Sequence, residues 1–403
     1  MAKKNKLPRV DLHPVTIKLA KKGHPWVTAD SFTKEFPTDE KLLIGKNPRS
    51  DERIFLIHDH AHKKVKARVW EIGTELPESP NGFIRSFDKR LEESFLKRKS
   101  IENKLNRDNF YLSFAEADGI PGLMIQKFKN VILIQVYCDF WHHFKNDVRR
   151  IVKKQCGTHF PEVDKVIFQQ RKASDNISFS GIDNKLTEIT IQEFGINYHL
   201  KFDYRYDIGI YSDMSAIRKK LTNEFREAKS VLNLFSYTGA FSLFALSHKA
   251  SEVCSVDLSS DYINWLERNL ELNPQLDSAN HSSKVMPVEK ALKQLKSAGK
   301  TFDLIICDPP SFSSDGKKSQ SSLKSYEKLI PLMSECLSEK GKIVAFLNTH
   351  TVLRKKFNEK IEALAHKESL KVLKQLRMDE DCKILSGFPE GDYLKGVILG
   401  KTK

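Results

Sequence analysis

The stretch Val231-Leu232-Asn233-Leu234-Phe235-Ser236-Tyr237-Thr238-Gly239-Ala240-Phe241-Ser242 constrains the fold of this chain more than any other. Its apolar run is too short for a helical stripe and suits a buried strand. A turn of small and polar residues follows, then the start of a helix. Two later stretches repeat the form: Val253 to Asp257 ends in a carboxylate, and Phe302 to Asp308 runs into Pro309 and Pro310. From Val231 onward, strands at 231–235, 253–257, 284–288, 302–308 and 342–347 alternate with helical patterns at 241–247, 259–272, 289–297 and 323–337. That alternation predicts an α/β domain whose mostly parallel sheet is covered on both faces. Ligands of such sheets sit outside the carboxyl ends of the strands. Two further extended stretches, Val372 to Arg377 and Gly396 to Leu399, predict a closing hairpin at the sheet edge.

With 403 residues the chain has room for two or three domains. Residues 1–71 read as a small β-rich, barrel-like module with strands at Lys41 to Gly45, Ile54 to His58 and Lys66 to Trp70. Residues 72–200 read as a middle α/β domain. It contains one charged helix from Asp88 to Arg107 with an apolar stripe of Leu91, Phe95 and Leu105, and a second helix from Trp141 to Lys154. Residues 201–403 form the third domain. Its entry, Tyr204 to Asp213, is either a plain linker or a connector across the ligand crevice. Asp213 is placed to cap a helix from Met214 to Phe225 that carries Arg218.

A formal charge of +15 favours an anionic partner, nucleic acid first. Lys21, Lys22, His24 and Trp26 join cations to an aromatic near the N-terminus. They suit a phosphate backbone, or equally a core tryptophan beside ordinary surface lysines. The six cysteines are scattered and none forms a Cys-x-x-Cys pair, so neither a disulfide scaffold nor a metal site is expected. No long apolar run or signal-peptide pattern is present, which predicts a cytoplasmic protein with no membrane partner. Composition leaves monomer and homodimer both open.

At the site itself, the turn at Gly239 lacks a full G-x-G-x-x-G and any phosphate-loop lysine, which argues against a pyrophosphate-containing cofactor. A nucleoside cofactor without phosphates suits the spacing. Asp257 would hold its ribose or, equally, cap the following helix. In Asp308-Pro309-Pro310-Ser311-Phe312 the two prolines stiffen a turn that can aim oxygen atoms at an amino or ring N–H of a base. Phe312 can stack on that base, a contact worth ~1–3 kcal/mol. The alternative is a rigid loop needed only for packing.

These motifs together resemble the class I S-adenosylmethionine-dependent RNA methyltransferases, most closely the 23S rRNA cytosine-C5 methyltransferases with a PUA domain, a middle domain and a Rossmann-like catalytic domain. Gly23-His24-Pro25-Trp26-Val27 looks like the opening of the PUA domain. Glu116 to Gly122 is similar to the middle-domain signature, and Gly209 to Asp213 to the entry segment. Phe235 to Gly239 resembles the cofactor motif, Asp257-Leu258-Ser259 the ribose-binding strand end, and Arg268-Asn269-x-x-x-Asn273 the next helix. Asp308-Pro309-Pro310 resembles the target-base motif, and Phe388 to Gly396 the C-terminal signature.

The resemblance implies S-adenosyl-L-methionine as cofactor and 23S rRNA as substrate. It places Tyr211, Asn233, Phe235, Ser236, Tyr237, Thr238, Gly239, Asp257, Leu258, Glu289 and Asp308 around the cofactor. Asp308, Pro309, Phe312 and Asn348 would face the base, and Lys21, Lys22, His24, Trp26 and Arg218 the RNA.

Methylation at carbon 5 needs a thiolate that adds to carbon 6. The family carries its candidate cysteine after the strand that follows the target-base motif. Here that place reads Phe346-Leu347-Asn348-Thr349-His350, with no cysteine. Cys307 alternates with Asp308 and should face the core. Cys382 is the remaining candidate, near the site or simply a partly buried thiol. Asn348 is instead similar to the guanine-N7 methyltransferase domain of 23S rRNA, where transfer to nitrogen needs no covalent step. Whole-chain likeness favours cytosine C5. A guanine-N7 or other ring-nitrogen or amine target is the alternative, and a non-catalytic RNA-binding protein the second.

Overall fold

The computed structural model describes residues 7–28, 36, 41–47, 51–59, 62, 64–73, 76–170, 178–180, 187–203, 207–310 and 322–402. The chain divides into two compact units. One comprises residues 1–186, 203–206 and 381–391, the other 187–202, 207–380 and 392–403. Neither is contiguous in sequence. The hairpin Thr187–Glu193/Ile196–Phe202 belongs to the second unit, and a short piece near the C-terminus belongs to the first.

The first unit holds two five-stranded sheets. One runs in the order Arg9–Asp11, Leu42–Lys46, Arg53–His58, Val65–Ile72, Trp26–Thr28. The other runs Ser178–Ser180, Lys165–Gln170, Val131–Val136, Leu123–Phe128, Asn109–Phe114. The charged helix starts earlier than its sequence suggests and is interrupted. It spans Pro80–Lys99, and Leu105 falls in a separate turn, Glu102–Leu105. Pro80 and Gly82 look like breakers, yet proline is tolerated in a first helical turn, and the Ser79 hydroxyl accepts from the Gly82 N–H at 3.0 Å. This start sets Phe83, Phe87, Leu91 and Phe95 four residues apart on one buried face. The second helix likewise splits at Phe144 into Phe140–His143 and Lys145–His159.

Residues 381–391 are tied into this unit. The buried Asp381 carboxylate accepts from the Tyr111 N–H at 2.7 Å and pairs with Arg107, while Arg98 donates to its carbonyl at 2.9 Å. The Phe388 ring meets Trp26 edge-on at 4.6 Å.

The second unit is built on a seven-stranded sheet. Its strands, in chain order, are β1 (Ser230–Leu234), β2 (Glu252–Asp257), β3 (His281–Val285), β4 (Phe302–Cys307), β5 (Leu337–Asn348), β6 (Leu370–Leu376) and β7 (Leu394–Lys401). They lie in the order β3-β2-β1-β4-β5-β7-β6. The first five are parallel, and β7 runs antiparallel to both β5 and β6. The predicted edge hairpin is therefore present, with β7 on its inner side. Helices α1 (Ala240–Ser247), α2 (Ser260–Glu271), α3 (Val288–Ser297), α4 (Ser322–Glu335) and α5 (Arg354–Lys367) connect these strands.

The order reverses at β1, so β1 and β4 diverge to opposite connections and open a crevice at their carboxyl ends. Strand β3 stops at Val285 rather than 288, because Pro287 has no N–H to give a ladder and caps α3 instead. The expected helix from Met214 is a 3-10 turn, Ser212–Met214, followed by Ser215–Lys220 and Thr222–Glu227. Asp213 sits inside that turn and does not cap it. Its carboxylate accepts from the Tyr393 hydroxyl at 2.6 Å.

The two asparagines of α2 fasten the hairpin. Asn269 Oδ1 accepts from the His199 N–H and Asn273 Oδ1 from the Asn197 N–H, both at 2.8 Å. Among the described residues, no helix is long and apolar enough to cross a membrane.

Candidate active site

The turn after β1 has an unusual backbone. Phe235, Tyr237 and Gly239 all have positive φ, at 56°, 50° and 85°. Two of the three carry side chains that disfavour this region, and such strain persists where surrounding structure enforces it. Here the enforcing bonds are visible. Ser236 N donates to the Val256 carbonyl at 3.0 Å, and Tyr237 N to Asp257 Oδ2 at 2.9 Å. Asp257 Oδ1 accepts from the Ser259 N–H at 2.9 Å, and Ser259 caps α2 through Tyr262 N. Asp257 thus braces the turn directly and leads into a helix capped by its neighbour's hydroxyl. Each of its oxygens keeps a lone pair for a further donor.

Gly239 is required by both conformation and space, since a Cβ there would lie 2.4 Å from Leu266 Cγ on α2. Gly239→Ala is expected to cost about 1–3 kcal/mol and to weaken cofactor binding about tenfold or more. Calorimetric titration alongside thermal melting checks both.

Ser236 is buried, and among the described residues its hydroxyl has no hydrogen-bond partner. An unpaired buried hydroxyl costs stability unless a ligand completes it. Asn233 does not share this position. It is buried with its amide donating to Ser242 Oγ at 2.8 Å, so it braces α1 from below the turn. Leu258 is exposed, and Tyr211, also exposed, packs on Tyr237 with ring centroids 5.2 Å apart. Glu289 stands in the first turn of α3, exposed and within 3.9 Å of Lys328 Nζ. Because β3 ends early, it lies further from that strand's end than the sequence suggests.

The opposite wall is the end of β4. Asp308 is half-buried just past the strand and Pro309 is buried behind it. Burial, reinforced by the nearby Asp213 carboxylate, pushes Asp308 up to about 7. Tyr326 reaches up from α4 to donate to the carbonyls of Cys307, at 3.0 Å, and Phe346, at 2.6 Å, fixing the ends of β4 and β5 together. Asn348 closes β5, half-buried. Beyond it, Lys395 Nζ donates to the carbonyls of Thr349, at 2.6 Å, and Tyr393, at 2.8 Å. Burial lowers the Lys395 ammonium to about 8. Phe312 lies outside the described residues.

Two expected site residues are placed elsewhere. Arg218 is 2 % exposed, its Nε donating to Glu193 Oε1 at 2.7 Å and its Nη2 to Ser215 Oγ at 3.2 Å. A guanidinium so enclosed is a structural cation of the second unit, not an RNA contact. Cys382 is buried in the first unit beside the clamped Asp381. Cys307 faces the core of the second unit, where burial raises its thiol far above the ordinary range. Lys21 pairs with Glu52, and Lys22 is exposed. His24 lies 3.4 Å from Glu390, and the Trp26 ring N–H donates to Glu116 at 3.0 Å beneath Arg68. Both edge and face of that indole are thus engaged within the first unit.

Residues 127–391 match the family model described as S-adenosylmethionine-dependent methyltransferase. The chain belongs to the S-adenosylmethionine-dependent methyltransferases. A Bacillus subtilis protein provisionally named ribosomal RNA large subunit methyltransferase YwbD is 31% identical over 325 residues, 78% of this chain and 80% of that one. The ribosomal RNA large subunit methyltransferase I of Alteromonas mediterranea is 26% identical over 399 residues, 98% and 99% of the two chains. In structure, the enzyme is similar to a Streptococcus mutans protein described as a provisional SAM-dependent methyltransferase. The TM-score is 0.85 at 24% identity, covering 98% of this chain and 100% of that one, a likeness of fold.

S-adenosylmethionine is thus the enzyme's cofactor, and the residues at the carboxyl end of β1 fit it. The unsatisfied Ser236 hydroxyl and the Asp257 carboxylate offer polar contacts on either side of a strained turn that Gly239 lets close against Leu266. Phe235 to Gly239 would hold the amino-acid end, and Asp257 the ribose hydroxyls. The cofactor supplies an electrophilic methyl group. Sequence reasoning missed Asp207, Tyr262, Tyr393 and Lys395. Asp207 lies within the entry segment Tyr204 to Asp213, and Tyr393 and Lys395 within the signature Phe388 to Gly396, but nothing local marks them as site residues.

Proposed function

We propose that the enzyme methylates a base of large-subunit ribosomal RNA. The observation that carries this reading is the match over 98% of the chain to a relative named for that activity, rather than over the cofactor domain alone. The charge of +15 supports an RNA substrate. Asp308, Asn348 and the Asp213–Tyr393 pair would receive the base at the ends of β4 and β5.

Direct transfer to a ring nitrogen or exocyclic amine is favoured over carbon 5 by the state of the thiols. All six cysteines are buried. Cys254, Cys307 and Cys336 lie in the core of the second unit, where burial raises each of the three thiols and suppresses the thiolate. Transfer to nitrogen asks the protein only to orient a lone pair toward the methyl, which positioning supplies. Whole-chain resemblance to the cytosine-C5 family supports carbon 5 as the second reading, with Cys382 as the thiol to be tested.

The test is incubation of large-subunit rRNA from cells lacking the gene with purified enzyme and labelled S-adenosylmethionine, then mass-spectrometric mapping. A methylated guanine or amine is the expected product. C5-methylcytosine would replace the nitrogen reading, and loss of that product in Cys382→Ser would name the nucleophile. Cofactor binding with no transfer to any rRNA would overturn the RNA assignment.

A further inference from the structure

Asp207 opens the segment that leads from the hairpin toward the catalytic sheet, and its carboxylate receives two phenols. Tyr211 Oη donates to Oδ1 at 2.7 Å, and Tyr262 Oη, from the first turn of α2, donates to Oδ2 at 2.5 Å. Tyr237 of the cofactor turn packs on both, 5.2 Å from the Tyr211 ring and edge-on to Tyr262 at 4.7 Å. The strap is also fastened to that turn directly. Gly209 N donates to Tyr237 Oη at 3.0 Å, and Thr238 Oγ1 donates to the Gly209 carbonyl at 2.6 Å. Gly209 has φ +111°, and a Cβ there would lie 2.6 Å from the Trp265 ring, so the strap can lie this close only because that residue is glycine.

These contacts join three elements that meet at the cofactor crevice: the strap 207–211, the strained turn 235–239 and the start of α2 after Asp257. Of the strap, Ile208, Gly209 and Ile210 are buried, and the Tyr211 ring, 44% exposed, is its part nearest solvent. We propose that Asp207, Tyr211 and Tyr262 form a clasp that holds the strap on the cofactor turn and sets how long the cofactor stays bound. They are positioning residues: Tyr237 is their point of contact with the turn, and they act through it. Coupling between clasp and ligand is reciprocal, so a closed clasp slows ligand release and a bound ligand stabilises the clasp. The two phenol-to-carboxylate bonds are charge-assisted, the stronger class of hydrogen bond.

The proposal rests on the cofactor lying between Ser236 and Asp257, and its test separates the two ideas. The full chain is titrated with S-adenosylhomocysteine, and stopped-flow fluorescence follows release. Tyr211→Phe and Tyr262→Phe keep the rings and remove the bonds. Each is expected to raise the dissociation rate about tenfold to a hundredfold. For Tyr262→Phe the association rate should stay near that of the parent, so that the change lies in release, whereas a merely structural role would lower the melting temperature and leave the dissociation rate unchanged. Asp207→Glu should restore part of the effect of Asp207→Asn. Asp257→Asn serves as the site control and should weaken binding. Unchanged release from both phenylalanine variants, with Asp257→Asn impaired, overturns the clasp and leaves the site standing. Unchanged binding in Asp257→Asn overturns the site and the clasp with it.

Discussion

Asp308→Ala is expected to lower the rate of methyl transfer to rRNA about 10²–10³-fold, the effect of removing one preorganised polar group aimed at a reacting centre. The side chain sits on a proline-stiffened turn at the end of β4, which fixes where its oxygens are aimed. Its protonation makes the second half of the prediction. Burial, with Asp213 beside it, raises Asp308 to about 7, so near neutrality the group is divided between acid and carboxylate. Only the carboxylate accepts hydrogen bonds from a base N–H with both oxygens. Transfer should therefore rise with pH through about 7 and level off above it. Asp308→Asn should flatten that rise, as measured by initial rates across a buffer series. Stability moves the other way. Between the ordinary aspartate value and about 7 the folded protein keeps a proton that the unfolded chain has lost, so this group's contribution falls as pH rises through that window.

Arg218→Ala carries the largest expected cost in stability. The Arg218–Glu193 pair has side-chain exposures of 2% and 0% and joins the hairpin to the helix after the 3-10 turn. Removing one partner leaves a buried, uncompensated charge, at about 3–5 kcal/mol. For a unit of this size the melting temperature should drop roughly 10 °C. The double replacement Arg218→Met with Glu193→Leu should recover most of the loss, because the second charge goes too. A double variant as unstable as Arg218→Ala would show that packing, rather than the stranded carboxylate, sets the cost. RNA affinity should change no more than the folded fraction does.

Much of the catalytic sheet was legible because its signals are local. A strand buried on both faces is a short apolar run, and a ligand-binding turn needs small residues whatever lies elsewhere. Boundaries failed where a local rule had an exception. Pro80 begins a helix instead of ending one, and β3 runs 281–285 rather than 284–288, with Pro287 at the start of α3. The role given to Asp213 failed for another reason, since a carboxylate before a helix is also free to accept from a distant phenol.

What the sequence by itself determined was the alternation of β1 to β5 with their helices, the glycine at 239 and the two strand-end aspartates, Asp257 and Asp308. Each follows from residues within a few positions of one another. Tertiary structure alone decided the partners. It buried Arg218 against Glu193, drew 381–391 with Cys382 into the first unit, and brought Tyr262 to Asp207 from 55 residues away. Periodicity is written into neighbouring residues by backbone geometry, whereas an arginine, a thiol or a phenol reads the same whether it ends in solvent or in a core. Only the packing of distant segments fixes which.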